Sequence, residues 1–202
     1  MVLQVEPFVN CLEDIQSRVP EKKSLRRKVL MVTPEGRVYN QRLARDLAEH
    51  DHLLVLCGHY KGMDERVHHY VDEKISLGDY VLSGGELPAM ILVDSVARLL
   101  PGAVSDFESV ATDSHYNGLL GAPCYTRPRE FRGMKVPDVL LSGNHRKIEE
   151  WRFLQSVEIT LTLRPELLQT VEFTKEEIKI LKKHKLLEKV KGVSNGYPSS
   201  SK

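Results

Sequence analysis

Apolar positions along the first hundred residues change period several times, and each change marks an element. Between Pro7 and Val19, the residues Phe8, Val9, Leu12, Ile15 and Val19 recur at helical spacing, and a proline suits a first helical turn. Lys28–Thr33 reads Lys-Val-Leu-Met-Val-Thr, a short buried strand closed by Pro34 and a turn at Gly36. The helical period returns from Gln41 to His50, with Asn40 placed as its N-cap. Leu53–Leu56 is the next apolar strand and stops at Cys57-Gly58. A short helix is expected over Asp64–Tyr70, a third strand over Lys74–Leu77, and a long apolar helix over Glu86–Leu100, ended by Pro101-Gly102. Strands alternating with helices predict an α/β domain with a mainly parallel sheet over residues 1–104.

The pattern then changes. Residues 105–121 have little periodicity and many small polar residues, which predicts a flexible interdomain linker. Val136–Leu141 is the next apolar run, followed by a helix over Asn144–Ser156 centred on Trp151. A final helical stretch, Thr174–Lys191, opens with Thr174 and Glu177 at capping-box spacing. It carries seven lysines against three glutamates, a net of four positive charges. Residues 122–191 are therefore expected to form a small helical domain, and residues 192–202 a disordered tail.

Composition narrows the class without naming a function. At 202 residues, 41% hydrophobic and 28% charged, the chain matches a soluble globular protein. No apolar run approaches the roughly 20 residues of a membrane span, and the N-terminus lacks a signal-peptide pattern. Cys11, Cys57 and Cys124 are odd in number, widely spaced and outside any metal-ligand pattern, which predicts reduced thiols in a cytoplasmic protein. The net charge of +1 is uninformative, but its distribution is not. The run Lys22–Lys28 and the spaced set Arg127, Arg129, Arg132 and Lys135 have the clustering of a phosphate-binding surface; a solvated basic face is the alternative.

Chemistry concentrates in three stretches. Residues 75–90 read Ile-Ser-Leu-Gly-Asp-Tyr-Val-Leu-Ser-Gly-Gly-Glu-Leu-Pro-Ala-Met, a strand stopping at Gly78 and a Gly84-Gly85 pair opening a helix. Glycines at such a junction let main-chain amides and carbonyls approach a ligand. Upstream lies Cys57-Gly58-His59-Tyr60-Lys61-Gly62-Met63-Asp64-Glu65-Arg66, and downstream Tyr125-Thr126-Arg127-Pro128 with Phe131-Arg132-Gly133-Met134-Lys135-Val136-Pro137. In a parallel sheet, Thr33–Gly36, Gly58–Gly62 and Leu77–Gly85 converge outside the strands' carboxyl ends. The dinucleotide fingerprint G-x-G-x-x-G is missing, which argues against an ordinary dinucleotide fold.

From Met1 to about Leu168, these three stretches in this order resemble the TrmD family of bacterial tRNA (guanine-37 N1)-methyltransferases, of the SPOUT class. The resemblance implies an α/β fold whose mainly parallel sheet carries a deep trefoil knot, with a small helical C-terminal domain. It implies S-adenosylmethionine, bound bent and largely through backbone groups. By position, Gly58, Tyr60, Leu77, Gly78, Asp79, Tyr80, Val81, Leu82, Gly84 and Gly85 would cradle it, with Thr33 and Pro34 beside its adenosine. Guanine N1 carries a proton and is a poor nucleophile until that proton leaves, and a carboxylate within hydrogen-bond reach could act as the general base. Charge then grows on O6, where an arginine would stabilise it. The resemblance assigns these roles to Asp113, in Asp113-Ser114 before Gly118-Leu119-Leu120, and to Arg98, in Val96-Ala97-Arg98-Leu99-Leu100-Pro101-Gly102.

It further implies a homodimer in which one subunit's linker completes the other's active site, and tRNA gripped by the Arg127–Lys135 stretch and the basic C-terminal helix. Magnesium comes with the family, yet no carboxylate cluster in the sequence would hold an ion by itself. The chain departs from the family pattern in three places. Met1-Val2-Leu3 matches a segment that family members reach only after a further strand and helix. His59 and Lys61 stand where arginine and glutamate are common, and Asp113-Ser114 is followed by His115 instead of phenylalanine. Two other readings stay open. One is a weakened fragment that binds tRNA or cofactor without turnover. The other is a knotted ribose 2′-O-methyltransferase, which needs no aspartate at the base edge.

Overall fold

The computed structural model describes residues 1–19, 25–104 and 112–196. They fall into two compact units, residues 1–105 and 106–202. In the first, β1 (Arg27–Val38) is the middle strand of a three-stranded sheet, with β2 (His52–Cys57) on one side and β3 (Glu73–Ser76) on the other. Both pairings are parallel; Leu30 lies opposite Val55 in one and Glu73 in the other. The unbroken apolar run of β1 follows from burial on both faces. Leu30, Val32 and Ile75 pack with Leu43, Ala44 and Leu47 of α2 (Gln41–Ala48) and with Leu92 and Val96 of α3 (Glu86–Ala97). Val29, Met31, Leu54 and Leu56 pack on the other face with Leu12 of α1 (Val5–Arg18) and Val67 of a 3-10 helix, Glu65–Tyr70. Asn40 caps α2 as expected, its side-chain oxygen accepting from the Leu43 amide at 3.0 Å.

The main difference from the sequence reading lies in β1, which was expected to close at Pro34. It runs on to Val38, and its register against β3 shifts between Val32 and Arg37. Pro34 lacks an amide hydrogen and sits inside that irregularity, where no ladder bond is demanded of it. Gly36 then crosses β3 so closely that a Cβ would stand 2.3 Å from the Ile75 nitrogen. The glycine marks a backbone crossing, not a turn. At the other end of the unit, α3 stops at Ala97, short of the expected Leu100. The Leu99 and Leu100 amides bond Val96 and Ala97, a tightened last turn before Gly102 at φ 78°.

In the second unit, β4 (Glu130–Phe131) and β5 (Met134–Lys135) form a hairpin, and Asp138–Leu141 forms a 3-10 turn. Then come α4 (His145–Leu163), a 3-10 helix at Pro165–Gln169, α5 (Lys175–Lys183) and α6 (Leu187–Gly196). Their core is Leu119, Val157, Leu168, Leu181, Leu186, Leu187 and Val190. Helix α4 outlasts the expected Ser156 because Val157 and Thr160 are fully buried. The Thr160 hydroxyl donates to the Ser156 carbonyl at 2.6 Å and accepts from the Leu120 amide at 2.9 Å, so a buried polar group is satisfied.

The capping box of Thr174 and Glu177 is present. The single stretch expected over Thr174–Lys191 is instead two helices. Lys185 takes φ 60°, the Leu186 amide bonds the Leu181 carbonyl and the Lys185 amide bonds that of Lys182. This is a Schellman ending, closed by apolar contact between buried Leu181 and Leu186. Helix α6 also continues through Gly196, into the stretch expected to be a disordered tail. Leu187 and Val190 dock its first turns, and each further residue adds one bond to a helix already nucleated. Residues 197–202 and 105–111, within the expected tail and linker, lie outside the described residues, as do Lys22, Lys23 and Ser24 of the basic run Lys22–Lys28.

Candidate functional site

At the carboxyl ends of β2 and β3, the loops Cys57–Gly62 and Leu77–Gly85 border a cleft of about 470 Å³, with Thr33–Glu35 of β1 as a third wall. Its lining includes Thr33, Pro34, Gly58, Tyr60, Leu77, Gly78, Tyr80, Leu82, Gly84 and Gly85. Of the residues expected there, Asp79 and Val81 are not in the lining, and Val81 is 98% exposed. The two loops are locked by main-chain contact: the Gly85 amide donates to the Gly58 carbonyl at 2.8 Å, and His59 bridges Gly84. A Cβ on Gly85 would stand 2.8 Å from both Cys57 Cα and Val32 Cγ2. The start of α3 can approach the end of β2 only without a side chain there.

Gly78 has φ 140°, its amide donating to Ser76 Oγ at 3.2 Å and its carbonyl accepting from the Tyr80 amide at 3.1 Å. Tyr60 is held at φ 60°, and its ring lies 5.6 Å from that of His59. His59 Nε2 in turn sits 2.9 Å from Glu86 Oε1 at the N-terminus of α3, where a carboxylate is favoured. Burial first, and then the Glu86 charge, push the Cys57 thiol up from its ordinary value, so it stays protonated at neutral pH. Below the loop, Asp64 accepts from the Arg66 side chain and amide, which hold its carboxyl at about 2. The N-terminal segment braces the same loop: the Leu3 amide bonds the Gly62 carbonyl, and the Asp64 amide bonds that of Leu3.

Sequence reasoning missed Ser76 and the walls supplied by Met31, Val32, Ile75 and Pro88. Ser76 is a buried polar residue at a strand end, a signal visible only once β3 is known to stop there. Arg98 is the exposed C-cap of α3 in the first unit. Asp113 lies in the second, in a turn where its carbonyl accepts from the Tyr116 amide and Ser114 Oγ accepts from the Gly121 amide at 2.8 Å. Leu120 ties that turn to α4. On α3, Leu87, Met90, Ile91 and Val93 are exposed, so a helix apolar on all sides covers the sheet with only one of them. Among the described residues, no group of three or more His, Cys, Asp or Glu side chains is placed to hold a metal ion, and no helix is long and apolar enough to cross a membrane.

A parallel sheet flanked by helices, with a main-chain-lined cleft at its strand ends and no dinucleotide fingerprint, defines an α/β protein with a ligand site at its strand ends. Residues 1–170 match the family described as tRNA (Guanine-1)-methyltransferase TrmD. A tRNA (guanine-N(1)-)-methyltransferase of Shouchella clausii (strain KSM-K16) is 51% identical over 183 residues, covering 91% of this chain and 73% of that protein. The like-named protein of Clostridium beijerinckii is 47% identical over 182 residues (90% and 74% covered), and that of Bacillus cereus (strain AH820) 48% over 186 residues (92% and 75%). The chain belongs to the TrmD family.

Proposed function

We propose that this chain transfers a methyl group from S-adenosylmethionine to N1 of guanine 37 in tRNA. The observation that carries the reading is the glycine-lined cleft at the ends of β2 and β3, in a chain about half identical to proteins named for guanine-N1 methylation of tRNA. Its size falls within the ~300–1,000 Å³ of small-molecule sites, and its walls offer main-chain groups at Gly58, Gly78 and Gly85 beside the apolar Leu77 and Leu82. These residues, with Thr33, Pro34, Tyr60 and Tyr80, would hold the cofactor, which supplies an activated methyl group on a sulfonium. Asp79 and Val81 belong to the same loop and lie outside that lining.

Asp113 acts as the general base, accepting the proton from guanine N1 so that the ring nitrogen becomes nucleophilic. Arg98 stabilises the negative charge that then gathers on O6. Because the transfer itself needs no Lewis acid, no protein ligand for magnesium is assigned. The enzyme works in the cytoplasm as a homodimer with a shared site and a knotted sheet, and the exposed apolar face of α3 at Leu87, Met90, Ile91 and Val93 supports pairing with a second copy. The basic α5–α6 segment and the Arg127–Lys135 stretch engage tRNA phosphates.

The test is transfer of labelled methyl to two tRNA transcripts differing only in guanine or adenine at position 37. Label on the guanine transcript alone is expected; equal label on both, or none from folded protein, sinks the reading. Mixing Asp113→Ala chains with Arg98→Ala chains should restore activity in heterodimers, and no recovery in verified heterodimers would reject the shared site.

A further inference from the structure

The β4–β5 hairpin of the second unit turns through Arg132 and Gly133, both at positive φ (49° and 82°), the geometry of a tight two-residue hairpin turn. Such a turn holds Phe131 and Met134 rigidly beside each other as a facing pair, and both are more than half exposed, at 54% and 66%. They line a pocket of about 420 Å³ together with Tyr125, Pro128 and Val136. One wall is anchored: the Tyr125 ring lies 6.3 Å from Trp151 on α4. An apolar hollow at the tip of a hairpin is costly to leave in water unless something fills it.

Its rim is cationic. Residues 125–138 hold Arg127, Arg129, Arg132 and Lys135 against Glu130 and Asp138, a net of two positive charges. Arg129 is paired with Asp138 at 2.9 Å and Lys135 lies 3.7 Å from Glu130. Among the described residues, Arg127 and Arg132 have no carboxylate partner, and the Arg132 guanidinium sits 5.2 Å from the centre of the Phe131 ring. Aromatic and apolar walls with unneutralised cations at the edge fit one ligand chemistry: a flat uncharged ring carrying a phosphate. In RNA that combination is free only where a base is unstacked. A paired helix hides its base faces and would use the cations alone.

We propose that this hairpin is a stacking site for one unpaired base of the RNA, with Phe131 as the platform and Arg127 and Arg132 contacting its flanking phosphates. Its lining has no residue in common with the cleft of the first unit, and it rests on the tRNA reading for the nature of its ligand. It gives the second unit a preference for loop over stem, which phosphate contacts alone cannot give.

The test uses the whole chain and three proteins: wild type, Phe131→Ala and Phe131→Trp. Phe131 is half exposed, so neither change threatens the fold. Since the wild type has one tryptophan, Trp151, emission added by Phe131→Trp reports on the hairpin. A single-stranded oligoribonucleotide should quench the added emission, whereas a duplex of the same sequence should not. Phe131→Ala should bind the single strand about tenfold more weakly, the factor that ~1.4 kcal/mol of stacking represents, with duplex binding unchanged. Equal quenching by duplex, or single-strand affinity unaltered in Phe131→Ala, overturns the proposal. So does added emission that changes with protein concentration without RNA, which would mean a second copy covers the hairpin. None of these readouts needs turnover. Absence of methyl transfer by the wild type would sink the proposed reaction and leave the stacking result standing.

Discussion

Gly85→Ala tests whether the cleft depends on backbone contact between the start of α3 and the end of β2. The glycine sits at φ −80° and ψ −8°, a conformation alanine adopts freely, so backbone stiffening alone would stabilise the protein by ~0.4–1 kcal/mol. Sterics oppose this. The new methyl would lie 2.8 Å from Cys57 Cα, 2.8 Å from Val32 Cγ2 and 2.9 Å from the Gly58 nitrogen, two of them backbone atoms of the sheet and its loop. Overpacking of this kind costs about 1–3 kcal/mol. Separating the segments also weakens the 2.8 Å bond from the Gly85 amide to the Gly58 carbonyl, worth ~1 kcal/mol. The steric side wins by about 2 kcal/mol, a large part of the ~5–15 kcal/mol that stabilises a typical domain. With a urea dependence of ~1–3 kcal/mol per molar, the midpoint should fall by about 1 M. The assay is urea unfolding followed by circular dichroism, with cofactor affinity measured by calorimetry on the folded variant. Gly192→Ala is the control: its Cβ meets nothing within 4 Å on helix α6, so it should stabilise by up to ~1 kcal/mol. A Gly85→Ala midpoint and cofactor affinity equal to wild type would refute the steric argument and the role of this junction.

Asp113→Asn should lower methyl transfer by ~100-fold or more, the usual weight of a general base, while calorimetric cofactor affinity stays at the wild-type value; full activity would instead favour a ribose target. Lys185→Gly should raise stability by about 1 kcal/mol, because the Schellman position at φ 60° costs a side-chain-bearing residue that much; thermal unfolding reads it. Hydrogen bonds from Lys183 and then His184 hold the Glu150 carboxyl below the usual glutamate range, so protons bind the unfolded chain more readily there. That contribution is complete above the ordinary glutamate value of about 4.3 and fades as pH falls through the lowered one. Glu150→Gln should therefore flatten the acid limb of stability against pH. Cys57, half-buried and with its thiol pushed up, should alkylate more slowly than exposed Cys11 and Cys124, as peptide mapping after brief labelling would show.

Local signals that need only neighbours in the chain were legible without coordinates. The Asn40 cap, the Thr174–Glu177 capping box and the buried run of β1 follow from hydrogen-bonding groups and apolar residues a few positions apart, and each appears where the pattern put it. The glycine loops were equally legible, since a strand-to-helix junction without side chains announces a backbone-lined site. What no local pattern contains is the partner across space. Gly36 reads as a turn until Ile75 is found 2.3 Å from its absent Cβ, and Pro34 reads as a strand end until β3 is seen to change register beside it. Lys185 offers no hint of a left-handed break, because the break exists to bring Leu181 and Leu186 into one core. Ser76 became part of the cleft only when folding buried it against the turn at Gly78. The sequence by itself determined which segments of the first unit are helix, strand and glycine loop, because those preferences are summed over adjacent residues. Tertiary structure alone decided where those segments bend, break and meet, because those choices are set by atoms far apart in the chain competing for the same buried space.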